Sequence, residues 1–223
     1  MKPLILAVDT THEYGSLALL RGAETLEERG LHAPDGFAHV LYARLRELLA
    51  RQGLRAQQID CFAAASGPGS FTGVRVGLAC VKGLAEALGR PAVAVSNLQA
   101  LACFGRRGLR ATVLDARRGE VYGAVYDAAA RLVGAEMVAP LERWLAGLPE
   151  GDLEFVSLDL APFRPALEGT RFAGTPVVTA PRELAAAVGR LALERWEAGE
   201  ALDPAALDAN YVRRSDAELL WKE

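Results

Sequence analysis

Histidine is scarce in this chain: His12, His32 and His39 are the only three in 223 residues. No two of them fall at the HxxxH or HExxH spacing that sets a pair of imidazoles on one helix face, so no local metal pair exists. Cysteine is equally sparse. Cys61, Cys80 and Cys103 are odd in number and lack a CxxC pair, which excludes a disulfide framework or a zinc knuckle and leaves buried free thiols. There are 3 lysines against 22 arginines, a bias that suits either a GC-rich genome or heat adaptation. Long apolar runs are missing too. Leu4 to Val8 is interrupted by Asp9, far short of the roughly 18 residues that cross a bilayer, and carries no cleavable signal pattern. No membrane association is expected, and the location expected is cytoplasmic. The formal charge of −3 supplies no overall basic field, so contact with nucleic acid has to be local or come through a partner.

What is present describes a globular protein: 51% hydrophobic, 24% charged and 7% aromatic residues, enough for one large or two small cores. The most informative stretch is the turn Ser66, Gly67, Pro68, Gly69, Ser70, Phe71 and Thr72, which joins a small-residue apolar strand to a long helix. It resembles several nucleotide or catalytic turns and matches none. A P-loop needs GxxxxGK[ST], but Val74 and Arg75 follow Gly73. A dinucleotide fingerprint needs GxGxxG, but Thr72 stands where the third glycine belongs. A serine-hydrolase elbow needs GxSxG, and Ser70 lies between Gly69 and Phe71. Ser70 and Thr72 can cap the helix, so the turn either holds an anion or braces the helix against a neighbour.

Periodicity gives strands at Leu4 to Val8, Gly15 to Arg21 and Ala23 to Arg29, and an amphipathic helix from about Gly36 to Gln52. A strand at Asp60 to Ala65, a helix at Ser70 to Leu88 and a strand at Pro91 to Val95 follow. A weaker second copy begins near Arg110: Thr112 to Leu114, Asp115, a turn, then Val121 to Tyr126. Arg131 to Val138 reads as its third strand, Leu141 to Leu148 as a helix, Leu153 to Leu158 and Pro176 to Thr179 as strands. Arg182 to Glu197 reads as an amphipathic helix. The duplication predicts an α/β fold of two mixed sheets with flanking helices, the second half trimmed by its Pro/Gly-broken stretch. The first lobe is expected to cover residues 1–103 plus the tail 204–223, whose Tyr211, Val212 and Trp221 need cover, and the second lobe 104–203.

Asp9 and Asp115 end comparable strands. Such carboxylates either face each other across a cleft and hold a metal-bound phosphate or cap their own turns. The helix after the glycine turn has two apolar stripes at about 100° per residue. Val74, Leu78, Val81, Ala85 and Leu88 face its own sheet, whereas Gly73, Gly77, Cys80, Leu84 and Ala87 need cover from a partner or from another element of the same chain.

The segments ILAVDTT, SGPGSFTGVRVGLACVKGLA, VLDARRGEVYGAVY and NYVRR together resemble the TsaB (YeaZ) family over nearly the whole chain. The resemblance implies a two-lobed fold of the actin/Hsp70/sugar-kinase (ASKHA) type. It also implies a non-catalytic partner of TsaD that works with the ATPase TsaE, in the complex that transfers threonylcarbamoyl to N6 of the adenosine next to the tRNA anticodon. TsaD-type catalysis would need iron or zinc on an HxxxH pair and a later Asp, and that pair is missing here. The implied interface, shared by a TsaB homodimer and the TsaB–TsaD pair, comprises Phe37, Leu41, Leu45 and Leu48 with Gly73, Val74, Gly77, Cys80, Leu84 and Ala87. On this reading the glycine turn orients the helix, no cofactor is intrinsic, ATP or ADP enters only in the assembled complex, and tRNA is met indirectly. The rival expectation is an ATP-binding, kinase-like phosphotransferase in which Asp9, Thr10 and Thr11 bind Mg²⁺–ATP.

Overall fold

The computed structural model describes residues 2–213, which form two compact units. In the first, the run Ile5 to Val8 is fully buried and makes β1 (Leu4–Asp9) a central strand. β2 (Tyr14–Arg21) and β3 (Glu24–His32) follow antiparallel, with Ala7 opposite Ala18 and Asp9 opposite Ser16. β4 (Cys61–Ala65) and β5 (Ala92–Val95) join parallel to β1, giving the order β3-β2-β1-β4-β5. The helices are α1 (Leu41–Arg51), α2 (Phe71–Leu88) and α6 (Ala185–Glu197). α1 and α2 bury Leu41, Leu45, Leu48, Val74, Leu78 and Val81 with Leu6, Val8, Leu17, Leu19 and Phe62 of one sheet face. Because strand residues alternate, Leu20 points the other way, and Gly189 of α6 seats so closely on it that no side chain fits between them.

The second unit contains α3 (Asn97–Ala102) from its second residue onward, β6 (Leu109–Asp115), β7 (Glu120–Asp127), β8 (Met137–Pro140), α4 (Leu141–Ala146), β9 (Leu153–Ser157), α5 (Arg164–Leu167) and β10 (Val177–Thr179). Its sheet order, β10-β9-β6-β7-β8, is the first unit's order repeated: the first three strands antiparallel, the fourth and fifth parallel to the first. The duplication expected from the sequence is therefore real. Trp144 of α4 packs flat enough on β7 that only glycine is accommodated at Gly123, and Phe155 and Phe172 extend this core.

Several expectations are corrected. The helix expected from Gly36 starts at Leu41, because Gly36 takes φ +94° and the N–H groups of Val40 and Leu41 both bond the Phe37 carbonyl in a turn. The third strand expected at Arg131 to Val138 contracts to β8, since Ala130 and Gly134 adopt positive φ and turn the chain. The chain divides at different places from those expected. α6, expected in the second lobe, belongs to the first unit, which comprises residues up to Asn97 and Arg182–Asn210. The Ser16 hydroxyl accepts the N–H groups of Leu184 and Ala185, and Glu28 accepts that of Ala186, so the start of α6 is anchored to β2 and β3. The tail stays with the first unit through Asn210 and departs from it at Tyr211, where Arg213 bonds the Ala116 carbonyl and the Glu120 carboxylate of the second unit. Trp221 lies outside the described residues. No helix among them is long and apolar enough to cross a membrane.

Burial raises the pKa of Glu28, outweighing the Ala186 N–H bond and Arg190, with Glu183 and Asp9 adding repulsion. A raised folded pKa means that the folded state holds the proton more tightly. Stability is then lost as pH rises from the usual carboxylate range through the folded value. Glu28→Gln, whose amide oxygen can still accept from Ala186, should raise the unfolding midpoint at about pH 7 and leave it nearly unchanged at about pH 4, measured by urea titration at both.

Candidate functional site

The glycine turn is held entirely by its own chain. Ser70 caps α2, its hydroxyl accepting the Gly73 N–H at 3.3 Å, and its own N–H bonds the Thr11 carbonyl at 2.6 Å. Gly67, at φ +100°, exchanges two bonds with Asn97: its N–H reaches Oδ1 at 3.0 Å and its carbonyl accepts the Asn97 N–H at 2.8 Å. Asn210 donates its N–H to the Ser66 carbonyl at 2.8 Å. The glycines are required by proximity. A Cβ at Gly69 would meet the Thr11 carbonyl oxygen at 2.5 Å, one at Gly77 the Thr10 hydroxyl at 2.6 Å, and one at Gly73 would be driven into the Thr10 carbonyl. The Thr10 hydroxyl donates to the Gly73 carbonyl at 2.7 Å. Of the two roles left open for the turn, this geometry is that of a brace.

Asp9, Thr10 and Thr11 are all buried. Asp9 Oδ1 accepts the Thr11 N–H at 2.9 Å and its hydroxyl at 2.7 Å, and Asn97 Nδ2 bonds Thr11 Oγ1 at 2.7 Å while lying 3.5 Å from Asp9 Oδ2. Asp115 is exposed, its Oδ1 accepting the Arg117 N–H at 2.7 Å and its Oδ2 lying 3.4 Å from the Arg117 guanidinium. Each carboxylate thus caps the turn that follows its own strand. Two of the three thiols are poor nucleophiles: burial pushes the Cys61 thiol up to about 12 and the Cys80 thiol up to about 11, despite the Tyr42 hydrogen bond that opposes the shift at Cys80, whereas Cys103, expected to be buried like them, is half-buried.

The expected interface divides unevenly. Phe37, Leu41, Leu45 and Leu48 are core residues, and Gly73, Val74, Gly77 and Cys80 are also buried within the chain. Leu84 is half-buried and Ala87 exposed. The small residues at Gly73 and Gly77 do permit a close approach, but it is the approach of Thr10. The outward face of α2 is a third stripe, roughly a quarter-turn from that one: Thr72, Ala79, Gly83 and Ala87 are exposed and Val76 half-buried along it. At its head Phe71 is 46% exposed, with the Arg75 guanidinium 3.6 Å above its ring. Beside it an open groove of about 620 Å³ between α1 and α2 is lined by Tyr42, Leu45, Leu49, Leu54 and Leu84, with Arg46 and Arg55 also at its wall. Tyr42 is 58% exposed. The signal for this face was present in the sequence as a charge-free line of short side chains at helical spacing.

A family model described as TsaD, tRNA N6-adenosine threonylcarbamoyltransferase, matches residues 33–188. A Bacillus subtilis protein named tRNA threonylcarbamoyladenosine biosynthesis protein TsaB is 34% identical over 98% of each chain. Among solved structures, YeaZ from Pseudomonas aeruginosa superposes with a TM-score of 0.81 at 29% identity, covering 94% of this chain and 99% of that one. Component A of the (R)-2-hydroxyglutaryl-CoA dehydratase of Acidaminococcus fermentans, with a TM-score of 0.54 at 10% identity over 86% and 98% of the two chains, shares the fold alone.

Two glycines of α2 should respond in opposite directions to one substitution. Gly73→Ala, which forces a Cβ into the Thr10 carbonyl, should destabilise by about 2 kcal/mol or more. Gly83→Ala, with nothing within 4 Å, should stabilise by about 0.5–1 kcal/mol through helix propensity. Denaturant midpoints of the two variants check the pair.

Proposed function

Because this chain belongs to the TsaB family of tRNA threonylcarbamoyladenosine biosynthesis proteins, we propose that it is the non-catalytic subunit of the complex that forms this base in tRNA. It pairs with a TsaD-like paralogue, which performs the transfer, and works with a TsaE-like ATPase in the cytoplasm. Alone, it uses the same face to form a homodimer. ATP or ADP belongs to the assembled complex rather than to this chain, and the tRNA is met mainly through the partner.

The observation that carries this reading is the outward face of α2. Thr72, Val76, Ala79, Gly83 and Ala87 present no long side chain, so a second helix can lie close to the backbone, and Tyr42 and Leu84 border an apolar groove beside it. An apolar strip of this kind on an otherwise charged surface gains free energy when a partner covers it. The rival phosphotransferase reading needs an aspartate available to a metal-bound nucleotide. Asp9 is fully buried, with Oδ1 engaged twice by Thr11, which favours the scaffold.

Ala79→Arg places a long charged side chain on the exposed face and disturbs no internal contact. Compared as monomers, at concentrations too low for self-association, the variant should unfold within about 0.5 kcal/mol of the parent, whereas association with the TsaD-like partner, followed by size-exclusion chromatography with light scattering, should weaken at least about ten-fold. Unaltered pairing would remove the proposed face. Mg²⁺-dependent ATP turnover by the pure chain, abolished by Asp9→Asn, would establish the rival instead.

A further inference from the structure

The groove between α1 and α2 carries a charge pattern that its apolar lining does not require. Leu45, Leu49, Leu54 and Leu84 line it, and its charged side chains are Arg46 and Arg55, with no acidic one among them. The end of α1 brings these two together. Gly53, at φ 64°, reverses the chain, and the Leu54 N–H bonds the Leu49 carbonyl at 2.9 Å. Leu54 is thereby folded back on the last turn, and Arg55 follows it to the groove that Arg46 reaches from one turn beyond Tyr42.

The other arginines of α1 are answered within the chain. Arg44 pairs with Glu47 at 2.9 Å, and Arg51, which complements the C-terminal end of the helix dipole, pairs with Glu27 at 3.0 Å. Arg46 and Arg55 are exposed, and among the described residues no carboxylate comes within 4.0 Å of either guanidinium. An arginine stem lies readily along an apolar wall while its head stays in water. Two such heads at one apolar groove suit an occupant that is apolar in its middle and anionic at its edge. A second copy of this chain lacks that complement. A two-fold pair sets one surface against itself and gathers both copies of Arg46 and Arg55 around a single contact.

We infer that Arg46 and Arg55 select the partner at this face by pairing with carboxylates that flank the apolar side of the TsaD-like protein's helix, an inference that rests on the pairing proposed above. The same two charges work against the homodimer, because like charges brought together at an interface penalise the pair that joins them. Salt screens attraction and repulsion alike. The mixed pair and the self-pair therefore respond to it in opposite directions.

The test uses the full chain with the full-length TsaD-like partner. The parent is compared with Arg46→Gln/Arg55→Gln, which removes both charges, and with Arg46→Lys/Arg55→Lys, which keeps them. Both positions are exposed, so the unfolding midpoint of the dilute monomer should not move. Affinity for the partner should fall roughly five- to ten-fold in the glutamine variant at about 50 mM salt, chiefly through slower association, and the lysine variant should keep most of it. Self-association, followed by sedimentation equilibrium, should instead tighten about two-fold or more in the glutamine variant. Raising salt from about 50 to about 500 mM should weaken the parent's mixed pair and strengthen its self-pair, and both responses should flatten in the glutamine variant. Partner affinity and salt response unchanged by the glutamine substitutions, while Ala79→Arg weakens pairing, would overturn the inference and leave the scaffold reading standing. A self-pair that weakens alongside the mixed pair would overturn it too, since the arginines would then serve either occupant. So would intact pairing with loss of tRNA affinity, which would assign the two arginines to RNA phosphates. Failure of the parent to pair with the partner at all would refute the functional reading and the inference with it.

Discussion

The first unit is organised by the contact between the end of β1 and the start of α2. Backbone meets backbone there: the carbonyls of Thr10 and Thr11 occupy the space that side chains would fill at Gly69 and Gly73, and the Thr10 hydroxyl occupies that at Gly77. A helix seated this closely has little freedom to rotate, because interiors are packed near crystal density and a shift of an ångström costs contacts on both sides. The rotation of α2 decides everything on its circumference. Val74, Leu78 and Val81 enter the core, Gly73 and Gly77 meet β1, and Ala79 and Gly83 are left outward. The same corner receives Asn97 and Asn210, the last residues of the first unit before the chain departs in each case.

That seating also shapes what the carboxylate at the end of β1 does. In a duplicated α/β fold the equivalent strand ends are where charge meets ligand, yet here Asp9 is enclosed and its oxygens are turned to Thr11 and Asn97. A buried carboxylate hydrogen-bonded in this way is a satisfied polar group that fixes the turn following β1. Along α2 the outward surface carries only short side chains, beside the Tyr42–Leu84 groove. The family model described as TsaD matches residues 33–188, a range that includes α1 and α2.

Where the pattern in the sequence was local, it was legible. β1, β2, β4 and α2 lie within a residue of their expected ends, since each is an apolar run or a capped helix bounded by Gly, Pro or Ser, and Gly89 at φ 61° ends α2 as a left-handed cap. The internal repeat was legible as well, because strand, Asp, turn and Gly recur in order and the sheets follow one topology. Two things were not. An amphipathic helix declares that it has a buried face but not which sheet buries it, so α6 could not be assigned to the first unit before the Ser16 and Glu28 bonds were seen. Small residues likewise declare a close approach without naming what approaches. At Gly73 and Gly77 it is Thr10, and the face left for a partner is the adjacent one.

The central claim is that the outward side of α2, with Tyr42 beside it, is covered by a TsaD-like partner. Hydroxyl-radical footprinting of the chain, kept dilute enough to be monomeric, with and without that partner reports on it directly, because Tyr42 and Phe71 are reactive, exposed rings at this face, and Met137, about as exposed as Phe71, is a reference in the other unit. Protection of Tyr42 and Phe71 on complex formation, with Met137 still reactive, is the predicted result. Undiminished oxidation of Tyr42 and Phe71 in a complex shown to be assembled would contradict the claim.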